Sequence, residues 1–254
     1  MPRWILIAVA AIVVVYAGLC VALFVLQRSL LYFPQPRSSP PGTTLLTLPA
    51  GRTQVLATVR AHDGPDALIY FGGNAEDVAA NLPALIRAFP NHALYLLHYR
   101  GFGGAPGQPS EAGLVADALA LFDRVVAEHR HVVVLGRSLG SGVAVHVASV
   151  RPVARLVLVT PYESIEALAA AKFPWLPIRW LLLDKFESGR HAPGVSAPTL
   201  LVVAENDEMI PRASAEALLA RFGTGVASLE IVPGAGHNFS DTNPEYLRLL
   251  RGSP

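Results

Sequence analysis

Residues 131–135, His-Val-Val-Val-Leu, run directly into Gly136-Arg137-Ser138-Leu139-Gly140. A short β-branched run predicts a buried strand, and the small residues Gly140, Ser141, Gly142 and Ala144 predict a helix packed tightly against a sheet. Between them the chain has to turn sharply. The G-x-S-x-G pattern in that context puts Ser138 on a strained strand-to-helix elbow with its hydroxyl exposed. A side chain at position 136 or 140 would collide with the neighbouring strand or helix, which the glycines avoid. Without these flanks the five residues would read as an ordinary Gly/Ser turn.

The strand-then-helix alternation extends over most of the 254 residues, enough chain for one large domain with a sizeable core. Residues 44–48 and 54–60 are expected to form an opening hairpin with Pro49 and Gly51 in its turn. Further strands are expected at 67–71, 93–97, 131–135, 155–159, 199–203 and 228–232. The pattern predicts helices at 75–89, 111–128, 139–150 and 211–222, and a terminal helix from 237 to about 250. Short apolar strands separated by helices predict the α/β class, a mostly parallel sheet with helices on both faces. Residues 161–193 exceed what a crossover needs, and their apolar stretch 172–183 is broken by Pro174 and Pro177. This segment is a candidate cap over a site mouth, additional core, or a surface in contact with lipid.

Residues 4–26 hold no formal charge over 23 positions, about 35 Å as a helix and enough to cross a bilayer core. An uncleaved transmembrane signal anchor over 1–28 is the expectation. Its competitor is a secretory signal peptide, whose apolar core is usually shorter. Ala17-Gly18-Leu19-Cys20 matches a lipoprotein processing site poorly, because Leu19 is bulky where a small residue belongs. Arg3 on one side and Arg28 and Arg37 on the other leave the orientation of the span open. Residues 29–42, with four prolines, are expected to be a stiff extended linker to a domain over 43–254.

Net charge is +1, and the 20 basic residues are scattered, which argues against a nucleic-acid partner. Cys20, the single cysteine, lies in the apolar stretch, so the domain carries no internal disulfide. No histidines stand at metal-ligand spacing; neither a metal nor another cofactor is expected.

A serine hydroxyl needs a base to take its proton and a carboxylate to orient that base. In sheets of this kind the order along the chain is Ser, Asp or Glu, then His. The loop after the strand at 199–203 contains Glu205, Asp207 and Glu208; Asp207 is the chosen acid, with the two glutamates as rivals. His237 follows the strand at 228–232 and is the sole histidine beyond Asp207. Gly72-Gly73-Asn74-Ala75 follows another strand, and glycines at a helix start favour an oxyanion site. The backbone N–H groups of Asn74 and Leu139 are assigned as its donors.

Together these residues resemble the α/β-hydrolase superfamily from about 43 to 250, and most of all its membrane-anchored serine hydrolases. The resemblance also rests on Phe71-Gly72-Gly73-Asn74-Ala75-Glu76, on Tyr99-Arg100-Gly101-Phe102-Gly103-Gly104, and on Gly107-Gln108-Pro109-Ser110-Glu111-Ala112-Gly113-Leu114. Many members carry His-Gly-Asn where this chain has Gly72-Gly73-Asn74. The resemblance implies an α/β-hydrolase fold, with the loop at 99–104 beside the oxyanion site. It also implies hydrolysis of carboxylic esters or thioesters, lysophospholipid lipases and depalmitoylating thioesterases being examples of the branch. Amide or peptide cleavage, as in the serine aminopeptidase grouping, is the alternative. A non-catalytic anchored binding protein is a third reading.

Overall fold

A computed structural model of the chain describes residues 2–50, 53–239 and 243–252. Gly51 of the expected turn and positions 240–242 of the expected terminal helix lie outside the described residues. Among the described residues eight strands form one sheet: β1 (Thr44–Ala50), β2 (Thr53–Arg60), β3 (Asp66–Phe71), β4 (Ala93–His98), β5 (His131–Arg137), β6 (Arg155–Val159), β7 (Thr199–Ala204) and β8 (Ala227–Val232). Their order is β1-β2-β4-β3-β5-β6-β7-β8. The β1–β2 hairpin is antiparallel, with Thr44 opposite Val59, and β2 meets β4 antiparallel, with Leu56 opposite His98. From β4 to β8 every pairing is parallel. Parallel neighbours need long crossovers, which the helices supply.

The helices are α1 (Arg3–Leu31), α2 (Leu82–Ala88), α3 (Glu111–Val126), α4 (Leu139–Val150), α5 (Ile165–Lys172), α6 (Ile178–Leu181), α7 (Ser188–His191), α8 (Arg212–Leu219) and α9 (Pro244–Arg251). Period-two alternation divides the strand residues between two cores. Ile69 and Phe71 of β3 and Val132 and Val134 of β5 pack on one face with Leu121 and Phe122 of α3 and Val143 of α4. Leu68, Tyr70, Val133 and Leu135 pack on the other with Leu82 and Leu85 of α2 and Leu249 and Leu250 of α9.

Local capping sets where several helices begin, and it shortens two of those expected. The run predicted as a helix over 75–89 instead turns at Asp77, which is extended and accepts the Ala79 N–H on its side chain. A single 3-10 turn, Val78–Asn81, follows before α2 starts at Leu82 with Pro83 in its first turn. The terminal helix begins at Pro244 because Asn243 accepts the N–H groups of Glu245 (3.0 Å) and Tyr246 (3.1 Å). Within 161–193 the chain forms three short helices, Pro174 and Pro177 lie between α5 and α6, and Ser164 caps α5 through the Ala167 N–H at 3.0 Å.

α1 runs 29 residues with none buried, and its best 18-residue window has a mean hydropathy of 2.9. Its last turns are fastened to the end of α6 and the chain that follows it. The Gln27 amide donates to the Leu181 carbonyl (3.0 Å) and accepts the Leu183 N–H (2.7 Å). Arg28 Nε lies 3.0 Å from Asp184 Oδ2. The helix extends to Leu31, and the residues after it do not form a free spacer. Tyr32 is buried and donates to Asp184 (3.1 Å), Gly103 N–H donates to the Gln35 carbonyl (2.9 Å), and Ser38 N–H donates to Asp77 (2.8 Å).

His98, at the end of β4, is 3% exposed, with Nε2 2.8 Å from Thr58 Oγ1 on β2. Burial, helped by the nearby Arg37 charge, pushes its pKa down to about 4. The unfolded chain, with a histidine pKa near 6.5, therefore binds this proton first. Stability from His98 is complete above about pH 6.5 and is lost as pH falls toward 4, a change of about 3 kcal/mol. Thermal midpoints at pH 7 and pH 4.5 are expected to show this loss, and His98→Gln is expected to remove most of it.

Candidate active site

β5 ends at Arg137 and α4 begins at Leu139, leaving Ser138 alone at the turn. Its φ of 50° and ψ of −120° are rare for a residue with a side chain, and such backbone costs about 1–3 kcal/mol. The surroundings hold it there. Ser138 N–H donates to the Val159 carbonyl of β6 (2.8 Å), and its own carbonyl accepts the N–H (2.9 Å) and the hydroxyl (2.7 Å) of Ser141. The flanking glycines admit close backbone approach: a Cβ on Gly140 would fall 2.6 Å from the Gly72 carbonyl oxygen, and one on Gly136 would fall 2.6 Å from Ala144 Cβ.

The loops after β7 and β8 bring the other two residues to the same sheet edge. Ser138 Oγ is 3.0 Å from His237 Nε2, and His237 Nδ1 is 2.9 and 3.0 Å from the two Asp207 oxygens. The His237 and Asp207 side chains are almost fully buried. Asp207 also accepts the N–H groups of Met209 (2.9 Å) and Ile210 (2.8 Å). Burial alone would raise the Asp207 pKa, but the hydrogen bonds from His237, Ile210 and Met209 outweigh it and hold the carboxyl below its ordinary value. A carboxylate so held favours a proton on Nδ1, an arrangement in which Nε2 could accept a proton from the serine hydroxyl.

The rival carboxylates are engaged elsewhere. Glu205 accepts the Gly234 N–H (2.7 Å) and Glu208 the His237 N–H (3.1 Å), so both brace the loop that carries the histidine. A cavity of about 270 Å³ opens over the serine, with Gly73, Asn74, Ser138, Met209 and His237 among its lining. Gly73 approaches the elbow so closely that a Cβ there would lie 3.7 Å from Ser138 Cβ. Leu139, as the first residue of α4, carries one of the N–H groups that a helix leaves without an internal acceptor. Tyr99 hydroxyl donates to the Gly72 carbonyl (3.0 Å), so the loop after β4 holds the loop after β3. Arg100 in turn fastens that loop to buried Asp117 of α3 at 2.7 and 2.8 Å.

Sequence reasoning did not find the pair Arg137 and Glu76, which joins two walls of the cavity. Glu76 accepts the Gly73 N–H (2.7 Å) and the Tyr70 hydroxyl (2.5 Å), and it also accepts from the Asn81 amide. Arg137 Nη1 lies 3.1 Å from Glu76, and Nη2 donates to Asn238 Oδ1 at 3.1 Å. The loop after β3 and the loop bearing His237 are thereby cross-linked. An arginine in the variable position before Ser138 and a glutamate two residues after Asn74 were the available signals. Among the described residues no group of three or more His, Cys, Asp or Glu side chains gathers as a metal site.

Comparison with known proteins identifies the fold and the family. A family model described as serine hydrolase matches residues 115–243, about half of the chain, from α3 past His237. The uncharacterised protein Rv2307c of Mycobacterium tuberculosis is 35% identical over 94% of this chain and 89% of its own length. The lysophosphatidylserine lipase ABHD12 of Macaca fascicularis is 27% identical over 72% of this chain, which spans about half (54%) of that relative. Among solved structures, Est1E from Butyrivibrio proteoclasticus superposes with a TM-score of 0.65 over 82% of this chain and 96% of that one, at 12% identity. The chain is therefore a hydrolase that has the α/β-hydrolase fold and belongs to the serine hydrolase family.

Proposed function

We propose that this hydrolase is tethered to a membrane by α1 and cleaves carboxylic esters or thioesters of lipid-like acyl groups through an acyl-enzyme. The reading rests on the unbroken hydrogen-bonded chain from Asp207 through His237 to Ser138 beside an open cavity. Ser138 Oγ attacks the acyl carbonyl while His237 Nε2 takes the hydroxyl proton. The carbonyl oxygen becomes an oxyanion held by the N–H groups of Asn74 and Leu139. His237 returns the proton to the departing alcohol or thiol, leaving the acyl group on Ser138. Water then adds to the acyl-enzyme with His237 again as base, and the carboxylic acid departs as Ser138 regains its proton.

The preference for apolar acyl groups is supported by the surroundings of α1. A groove of about 440 Å³ runs between α1 and α5–α6, lined by Leu19, Leu23, Leu30, Phe173, Leu176 and Ile178 among others. Trp175 and Trp180 stand exposed beside it, side chains suited to a membrane interface. The relative named as a lysophosphatidylserine lipase acts on a lipid ester, in line with this substrate class.

The full-length protein in membranes, treated with a fluorophosphonate and digested, is expected to carry the adduct on Ser138. An adduct elsewhere, or none, would overturn the assignment. Acyl thioesters and esters are expected to turn over faster than aminoacyl amides. The reverse order would favour a peptide hydrolase, and no turnover of any substrate a binding protein.

A further inference from the structure

The apolar helix ends against the loop that carries one of the proposed oxyanion donors. α1 closes at Leu31, and Tyr32 turns the backbone to an extended conformation (φ −109°, ψ 128°). From there the chain holds Asn74 at two atoms. The Asn74 side-chain amide donates to the Leu31 carbonyl (3.0 Å), and Phe33 N–H donates to the Asn74 carbonyl (2.9 Å). Phe33 itself lines the cavity that contains Ser138 and His237. On the opposite side the same loop is held by Glu76 through the Gly73 N–H. The end of α1 is in turn fixed by Asp184, which is buried and receives both Arg28 and the Tyr32 hydroxyl. Burial, first, and the nearby Asp184 charge raise the Tyr32 pKa, which keeps the phenol a neutral donor.

We propose that Leu31 and Phe33 are positioning residues that aim the Asn74 N–H at the oxyanion, so that the apolar helix completes the active site as well as tethering it. The proposal rests on the reading of Ser138, His237 and the Asn74 N–H given above. A donor contributes to catalysis by standing ready where charge develops, and a donor free to turn away loses that advantage. The Asn74 side chain is therefore needed although the chemistry uses only its backbone.

The test uses the full chain in detergent micelles. Asn74→Ala keeps the backbone N–H and removes the tie to Leu31, Asn74→Asp replaces the tie with a carboxylate, and Phe33→Pro removes the donor to the Asn74 carbonyl. Proline at 33 suits the extended backbone already present at Tyr32. Loss of a whole oxyanion donor costs about 10²–10³ in kcat, and each of these variants is expected to lose about tenfold in kcat, while KM is free to change because Phe33 and Asn74 both line the cavity. A trifluoromethyl ketone, which adds to the serine and carries an oxyanion, is expected to bind more weakly by the same factor, per active site titrated with fluorophosphonate. Unchanged kcat and inhibitor affinity would overturn the proposal. So would a fall in kcat with unchanged inhibitor affinity, which would mean only fewer folded molecules. Should Phe33→Pro fail to fold, the two Asn74 variants decide. Failure of the underlying reading would show separately, as a parent protein that carries no adduct on Ser138.

Discussion

Ser138→Ala is expected to lower kcat toward short p-nitrophenyl esters by about 10⁶, and Asp207→Asn by about 10⁴. The two losses differ because the two groups fail differently. In the proposed mechanism no acyl-enzyme forms without the hydroxyl, and only the proposed oxyanion donors and substrate binding remain. Asparagine keeps the shape of the site but presents an amide toward Nδ1, so His237 is driven to the wrong tautomer and Nε2 no longer accepts the serine proton. The carboxylate suits this role because its pKa is already held low by the hydrogen bonds from His237, Ile210 and Met209. It therefore stays ionised throughout the range in which a histidine base operates. Steady-state rates with circular dichroism on the purified variants would check both numbers. Equal losses in kcat for the two variants, or retained activity in Ser138→Ala, would place the chemistry elsewhere.

Gly140→Ala is expected to prevent stable folding, or to cost at least about 3 kcal/mol. The added methyl would meet the Gly72 carbonyl oxygen at 2.6 Å and the Phe71 carbonyl oxygen closer still. Both obstacles are backbone at the end of a central strand, so neither can swing aside as a side chain would. Relief requires moving α4 away from β3, which also shifts Ser138 from the Gly73–Asn74 loop. Gly18→Ala provides the contrast, since nothing lies within 4 Å of a Cβ there. A thermal melt in detergent is expected to leave Gly18→Ala near the parent and to drop Gly140→Ala by about six degrees or more, at roughly 2–4 °C for each kcal/mol. Equal melting of the two would mean that the elbow yields more easily than its contacts imply.

Much of the strand pattern is readable because buried parallel strands are written as short apolar runs. Residues 131–135 and 155–159 need no knowledge of their neighbours. The three polar residues selected by order along the chain, Ser138, Asp207 and His237, come within hydrogen-bonding distance because each lies just beyond the end of a strand running the same way. Helix starts are harder to read. Asp77 and Asn243 end their local runs by side-chain bonds to nearby N–H groups, and apolar periodicity carries no trace of that competition. The stretch after α1 is only partly legible for a different reason. Its prolines describe a stiff chain, but whether that chain stands free or lies along a surface depends on partners far away, such as Asn74, Gly103 and Asp77. The Arg137–Glu76 pair is hidden in the same way, its members being 61 positions apart.

The short distance along the chain from Leu31 to Phe33 has a consequence for how substrate is met. A helix of 29 residues is about 43 Å long, close to the full thickness of a bilayer with its headgroups. With α1 upright and spanning such a bilayer, Phe33 and the mouth it borders sit at the outer edge of the headgroup layer. On the proposed function, a lipid ester would slide sideways within its leaflet and rise only through the headgroup layer to meet the site, without first dissolving in water. Turnover would then follow the crowding of substrate in the membrane plane, and an enzyme built in this way responds to surface density rather than bulk supply.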